Sequence, residues 1–276
     1  MPGRAHVMAG EALRWYLTRA RHPLKDYLVG HYWRVFARCG AWVRYDGDGV
    51  LHVRLGDYVQ QRIFLDGLYE RSLVEWMRGA LGRHDVFWDV GANVGAVSVV
   101  AARLGARVVA FEPDPRSRRW LERNLRANHL TKVTVVPDAL GDRERTASLY
   151  QSDRTNTGRS SLDPSRAGRG GTVPTRVLRA DTFAARHPDL APTVMKIDVE
   201  GAEHLVLRGA VEVLRDGRLH TVIYEDRIEG GGAPANLDAA RHLEAAGFAI
   251  EPFARSDAHA DDGQMNFIAR RVEEPR

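Results

Sequence analysis

Short unbroken apolar runs punctuate the chain at Val86–Val90, Arg107–Phe111, Val133–Val136, Thr193–Ile197 and Leu219–Glu225. Runs of this length, bounded by turn residues and separated by helical stretches, predict buried parallel strands. The helical stretches are Ala96–Leu104, Pro115–Asn128, Asp181–Ala185, a segment from the turn after Asp198 to about Leu214, and Leu237–Ala246 with Gly247 as its stop. Phe248–Glu251 and Met265–Ala269 should close the sheet as a terminal pair, and the strand ending at Asp198 should lie beside Val86–Val90. Ala147–Tyr150 and Val173–Leu178 are two further strands. Alternating strand and helix give an α/β domain over 68–276. There is no internal repeat.

The first 67 residues have a different texture. From Ala41 to Ile63 the apolar period is two, and Asp46-Gly47-Asp48-Gly49 interrupts it, so a hairpin is expected. Before that, aromatic and leucine positions alternate with Arg14, Arg19, Arg21, Lys25, Arg34 and Arg38. This predicts one or two amphipathic helices broken near Pro23. Packing on the domain with a solvated Arg face is the expected role, ahead of contact with an anionic membrane or partner. Leu68–Leu81 reads as a helix opened by Tyr69-Glu70, where Glu70 either faces a cofactor cleft or is a first-turn acid.

Candidate chemistry begins at the ends of the first two strands, where open α/β sheets bind ligands. Asp89 is followed by a glycine turn, Gly91-Ala92-Asn93-Val94-Gly95, and Glu112-Pro113 follows the second strand. Glycines there let backbone and ligand approach closely. An acid about 20 residues beyond such a turn is placed to grip both hydroxyls of a ribose. The G-x-x-x-G spacing lacks the pattern that receives a pyrophosphate, and a carboxylate at Asp89 would repel one. It would attract an ammonium. S-adenosylmethionine, with a ribose, an ammonium and no phosphate, fits both acids.

Composition narrows the setting. The chain has 276 residues, 44% hydrophobic and 28% charged, with a net charge of +4, as expected of a soluble globular protein. Lysine occurs only at 25, 132 and 196, so Lys196 stands out among the arginines. Cys39 is the single cysteine, which excludes an intramolecular disulfide and a cysteine-rich metal site and suits a reducing cytoplasm. No apolar run approaches a membrane span, and the N-terminus lacks the apolar core of a signal peptide. The arginines are dispersed and no RNA-binding module is recognisable, so nucleic acid is not the expected partner.

Asp89-Val90-Gly91-Ala92-Asn93-Val94-Gly95, Phe111-Glu112-Pro113, Asn124-Leu125, Ala139-Leu140-Gly141-Asp142, Asn156-Thr157-Gly158 with Ser161-Leu162, and Lys196-Ile197-Asp198-Val199-Glu200-Gly201-Ala202-Glu203 together resemble the FkbM family of S-adenosylmethionine-dependent methyltransferases. The resemblance runs from about Tyr69 to Glu225. It implies a Rossmann-like class I methyltransferase fold, a mostly parallel seven-stranded sheet with helices on both faces. It also implies O-methyl transfer to hydroxyls of sugars, polyketides and related natural products. Arg71 stands where the family often has Pro, and the residues after Glu225 depart from its pattern.

The cofactor side so read comprises Glu70, Asp89, Gly91, Asn93, Gly95, Ser98, Glu112, Pro113, Asp138 and Ala139, with Asp138 accepting from the adenine amino group. Asn156, Ser161, Lys196 and Glu225 are expected on the acceptor side, the first two in a polar, Gly-rich loop over 152–171 that reads as a lid or binding loop. Asp198, Glu200 and His204 are candidate bases, with the surface-histidine reading of His204 favoured over a catalytic one. Asp198, Glu200 and Glu225 together have the donors for Mg²⁺. No Asn/Asp-Pro-Pro-aromatic block follows the fourth strand, and Cys39 lies outside the cofactor domain. These absences disfavour methylation of amino groups and of pyrimidine carbon. An RNA methyltransferase and a non-catalytic cofactor-binding scaffold are the competing readings, and a homodimer is compatible with the chain.

Overall fold

The computed structural model describes residues 3–22, 24, 25, 27, 29, 35, 38, 40–153, 155–166, 169–227, 234–253 and 264–272. The second N-terminal helix expected before Gly40, together with Cys39, falls largely outside them. Helix α1 (Arg4–Arg19) packs on hairpin strand β1 (Gly40–Tyr45), paired antiparallel with β2 (Gly49–Arg54). The approach is close at Gly10, where an added Cβ would stand 1.9 Å from the Trp42 carbonyl oxygen.

The period-two reading ends earlier than expected, because Tyr58–Asp66 is a helix, α2. Asp57 caps it by accepting from the Gln60 N–H, Gly67 stops it at φ 79°, and Ile63 and Phe64 are buried along it. Helix α3 (Arg71–Ala80) starts three residues later than the pattern suggested. Glu70 before it is left-handed (φ 49°, ψ 57°), which no helical residue adopts.

The βαβ core follows as read: β3 (Val86–Val90), α4 (Ala96–Arg103), β4 (Arg107–Phe111), α5 (Pro115–Ala127) and β5 (Thr134–Val136). Strands β6 (Ala139–Leu140), β7 (Arg145–Tyr150) and β8 (Thr172–Leu178) form a separate three-stranded sheet. Then come α6 (Ala180–Arg186), β9 (Val194–Ile197), α7 (Glu203–Arg208), α8 (Val211–Arg215), β10 (Thr221–Arg227), α9 (Leu237–Ala245), β11 (Phe248–Phe253) and β12 (Gln264–Arg271). The helix expected to reach Leu214 is thus two, broken at Gly209, where a Cβ would meet the Gly141 carbonyl oxygen at 2.0 Å.

The main sheet has seven strands in the order β11-β12-β10-β9-β3-β4-β5. Strands β5, β4, β3, β9 and β10 are mutually parallel, and β12 runs antiparallel to both its neighbours. Strand alternation then sorts side chains to two faces. Phe87, Val108, Ala110, Val194 and Ile223 join one buried cluster with α2, α3, α4, α5 and the hairpin. Trp88, Val109, Phe111, Met195 and Tyr224 join the other with α6, α7, α8 and α9. The hairpin residues Val43, Tyr45, Leu51 and Val53 belong to the first cluster, so the segments 1–67 and 68–276 share one core. Arg271 at the end of β12 donates to the carbonyls of Leu219, Ala246, Leu214 and Asp216 and lies over the Phe248 ring.

Candidate active site

A two-lobed cleft opens over the carboxyl ends of β3, β4, β9 and β10, and its lobes share Gly91, Asn93, Gly158 and Asp198. Gly91 is left-handed (φ 87°), and a Cβ on it would stand 1.9 Å from the Asp198 carbonyl oxygen. The glycine is therefore needed for β9 to approach the turn. Gly95 serves packing: its Cβ position meets a Leu121 methyl at 2.5 Å, and it does not line the cleft.

One lobe contains Glu112, Pro113, Ala139, Leu140, Ser161 and Leu162. Glu112 Oε2 accepts the Asn93 N–H at 2.7 Å, and Oε1 accepts the Asp114 N–H at 2.8 Å. Burial pushes this carboxyl up to about 8, against the pull of those two N–H groups. Asn93 is itself left-handed (φ 49°), which turns its N–H toward Glu112. Asp138 lines neither lobe, whereas Ala139 next to it does.

The other lobe is charged. Lys196 is buried on β9, with Nζ 3.0 Å from Asp198 Oδ2 and 3.9 Å from Glu70 Oε2. Burial opposes its charge, but Asp198, Glu70 and Asp89 hold the ammonium well above its usual value. Asp89 is fully buried and raised by burial, with Lys196 and Ser98 offsetting part of the shift. Ser98 does not line the cleft; its Oγ donates to Asp89 Oδ2 at 2.5 Å and so orients the carboxylate. Asp198, Glu200 and Glu225 each offer an oxygen within 4.8 Å of the others. His204, on α7, lines neither lobe.

Sequence reasoning missed the residues that hold the walls. Glu203 Oε1 accepts the Val199 and Gly201 N–H groups, both at 3.1 Å, and so fixes the turn that presents Glu200 at φ 58°. Burial raises the Glu203 carboxyl to about 7. Asp57 Oδ2 accepts from both the N–H and the Oγ1 of Thr157 at 2.7 Å, which pins the 152–171 loop to α2. Ser160 Oγ donates to Asp114 at 2.9 Å, and Ser161 Oγ donates to the Glu200 carbonyl at 2.9 Å. The loop that supplies Asn156 and Ser161 is therefore tied down on three sides; Gly168 within it is outside the described residues. A cap signal was present at Asp57, followed by Gly67, but the strand-like alternation around it masked it.

Sheet order, the helices on both faces and the cleft at the strand ends define a class I methyltransferase fold. The FkbM methyltransferase domain profile matches residues 89–250, and the chain belongs to that family. A crystal structure of methyltransferase FkbM from Methylobacillus flagellatus superimposes with a TM-score of 0.50 at 17% identity, covering 76% of this chain and 52% of that one. The 31-O-demethyl-FK506 methyltransferase FkbM of Streptomyces tacrolimicus is 29% identical over 210 residues, 65% of this chain and 78% of that protein. The hexuronic acid methyltransferase AglP of Haloferax volcanii is 27% identical over 154 residues, 53% of this chain. The AMB antimetabolite synthetase AmbE of Pseudomonas aeruginosa is 39% identical over 112 residues, 39% of this chain. The chain spans 58% of the length of AglP and 5% of that of AmbE. Among the described residues no helix is long and apolar enough to cross a membrane.

Proposed function

We propose that the chain is an S-adenosylmethionine-dependent O-methyltransferase that acts on a hydroxyl of a small molecule such as a sugar, glycoside or polyketide. The observation that carries this reading is the division of one cleft into two chemically distinct lobes. The lobe at Glu112 offers a carboxylate for ribose hydroxyls and an apolar wall of Leu140 and Leu162 for an adenine. The lobe at Asp89 offers carboxylates for an ammonium and, farther out, Asp198 and Glu200 for an acceptor.

S-adenosylmethionine, when bound, supplies an electrophilic methyl on a sulfonium. The chain's own task is alignment, exclusion of water and removal of a proton. Glu200 or Asp198 would take up the acceptor hydroxyl's proton as that oxygen receives the methyl group. Both carboxylates line this lobe, and Lys196 Nζ holds Asp198 Oδ2 at 3.0 Å. Tyr58, Asn156 and Arg159 at the rim would position the acceptor. The names of two relatives support an O-linked acceptor: a hexuronic acid for AglP and 31-O-demethyl-FK506 for the Streptomyces FkbM protein.

The oxygens of Asp198, Glu200 and Glu225 fit a hard divalent cation such as Mg²⁺, which would acidify a coordinated hydroxyl. A reducing cytoplasm suits the single cysteine.

Calorimetry with S-adenosylmethionine and S-adenosylhomocysteine tests the reading on wild type and Glu112→Ala, with Mg²⁺ and with EDTA. Binding near micromolar (about −8 kcal/mol) that is lost in the variant supports it, and a panel of hydroxylated acceptors follows. A folded protein that binds neither compound under either condition refutes it. Binding without turnover on any acceptor favours the scaffold reading.

A further inference from the structure

The charge of this molecule is unevenly placed. Residues 1–40 carry seven Lys and Arg against two Asp and Glu, whereas the remaining 33 basic and 34 acidic residues nearly cancel. Exposed apolar bulk is placed the same way. Of the eight large hydrophobic residues exposed among the described ones, five precede Gly40: Met8, Trp15, Leu24, Tyr27 and Val35. Met8 is 69% exposed and Trp15 58%. Exposed apolar side chains concentrated in the same segment as the excess positive charge point to an interaction surface there.

Helix α1 shows how the two properties combine. At about 100° per residue, Gly10, Leu13 and Leu17 share one face. That face is the docked one, with Gly10 against Trp42 and the two leucines against the core. Met8 and Trp15, seven residues apart, lie on the opposite face, and Arg4 and Arg19 fall within about 40° of them. All four are exposed. Glu11, the helix's one acid, is drawn away: its carboxylate accepts the Arg44 N–H at 3.0 Å and faces Arg14 at 3.9 Å. The outer face of a helix about 24 Å long is thus a tryptophan and a methionine between two arginines.

We propose that this face docks on an anionic phospholipid surface, with α1 lying in the plane of the interface. The chemistry matches at both levels. Trp and Met enter the headgroup boundary, and the arginines meet lipid phosphate and serine carboxylate. A protein partner would call for a shaped apolar groove, whereas two side chains flanked by cations on a convex helix suit a fluid, negatively charged plane. Docking is independent of the methyltransferase reading, since none of these residues lines the cleft.

The test is co-sedimentation of the full chain with phosphatidylcholine vesicles and with vesicles containing about 30% phosphatidylserine. Binding to the anionic vesicles and not to the neutral ones is expected, weakening as salt is raised. Met8→Glu with Trp15→Glu, and separately Arg4→Glu with Arg19→Glu, should each lower the affinity by about tenfold or more. Because these side chains are exposed, the unfolding temperature should be that of wild type, which separates lost docking from lost folding. Quenching by bromolipid that falls in Trp15→Phe would place the indole in the headgroup region. No binding to anionic vesicles, or equal binding to both kinds, overturns the proposal. So does a dimer that Met8→Glu with Trp15→Glu dissociates in the absence of vesicle binding, for the face would then belong to a second copy of the chain.

Discussion

Glu112 and Glu203 are both buried carboxyls held by backbone N–H groups, and burial lifts both from 4.5, to about 8 and about 7. A carboxyl raised on folding keeps a proton that the unfolded chain has already lost. Its contribution to stability is therefore full below pH 4.5 and falls as pH rises toward the folded value. The free protein should melt a few degrees lower at about pH 8.5 than at about pH 6, and Glu203→Gln should flatten that slope. Cofactor affinity should move the other way. A ribose held by the Glu112 carboxylate needs that group ionised, so binding should strengthen by about tenfold between pH 7 and 9, and Glu112→Gln should abolish the trend. Calorimetry at several pH values measures both. Lys196 has the opposite character, a buried cation shared by three acids. Lys196→Met leaves Asp198, Glu70 and Asp89 facing one another, and should destabilise by ~3–5 kcal/mol in urea titrations.

Helices, strands and the loop over 152–171 set where those residues stand. One of that loop's three ties is Asp57, which caps α2 with one oxygen and holds Thr157 with the other. Asp57→Ala should lower stability by ~2 kcal/mol. It should also raise amide hydrogen exchange across 155–161, and raise the acceptor KM more than it lowers kcat. Legibility in the sequence divides along the same line. The βαβ unit, Gly91, Glu112 and the convergence of Asp198, Glu200 and Glu225 follow from strand ends and glycine turns, because local pattern alone determines which side of a sheet a strand end reaches. Asp57, Ser160 and Glu203 act through partners 100, 46 and a few residues away, at angles fixed only by the assembled walls. A helix at Tyr58–Asp66 was hidden for a related reason. Its apolar spacing over so short a span fits a strand nearly as well, and tertiary burial of Ile63 and Phe64 decides. Asp138 shows the limit of reasoning by strand end: Ala139 begins the small sheet, and its neighbour is turned out of the cleft.

At the scale of the molecule, two hydrophobic clusters sandwich one sheet, and the hairpin is part of the first. The last strand, β12, lies between β10 and β11, although both precede it in the chain. Arg271 at its end gathers four carbonyls from the α8, β10 and α9 neighbourhoods. Arg271→Ala should therefore destabilise by ~2–4 kcal/mol, read from urea unfolding, because it removes the guanidinium's four hydrogen bonds to part-buried carbonyls. The placement of β12 also carries a temporal consequence. While the chain is being made, β10 has a bare edge and β11 has no neighbour until Gln264–Arg271 arrives between them. Until that moment the half-built sheet presents open backbone to any other nascent chain. Crowded synthesis, more than heat, is then the condition under which this protein is most exposed to aggregation.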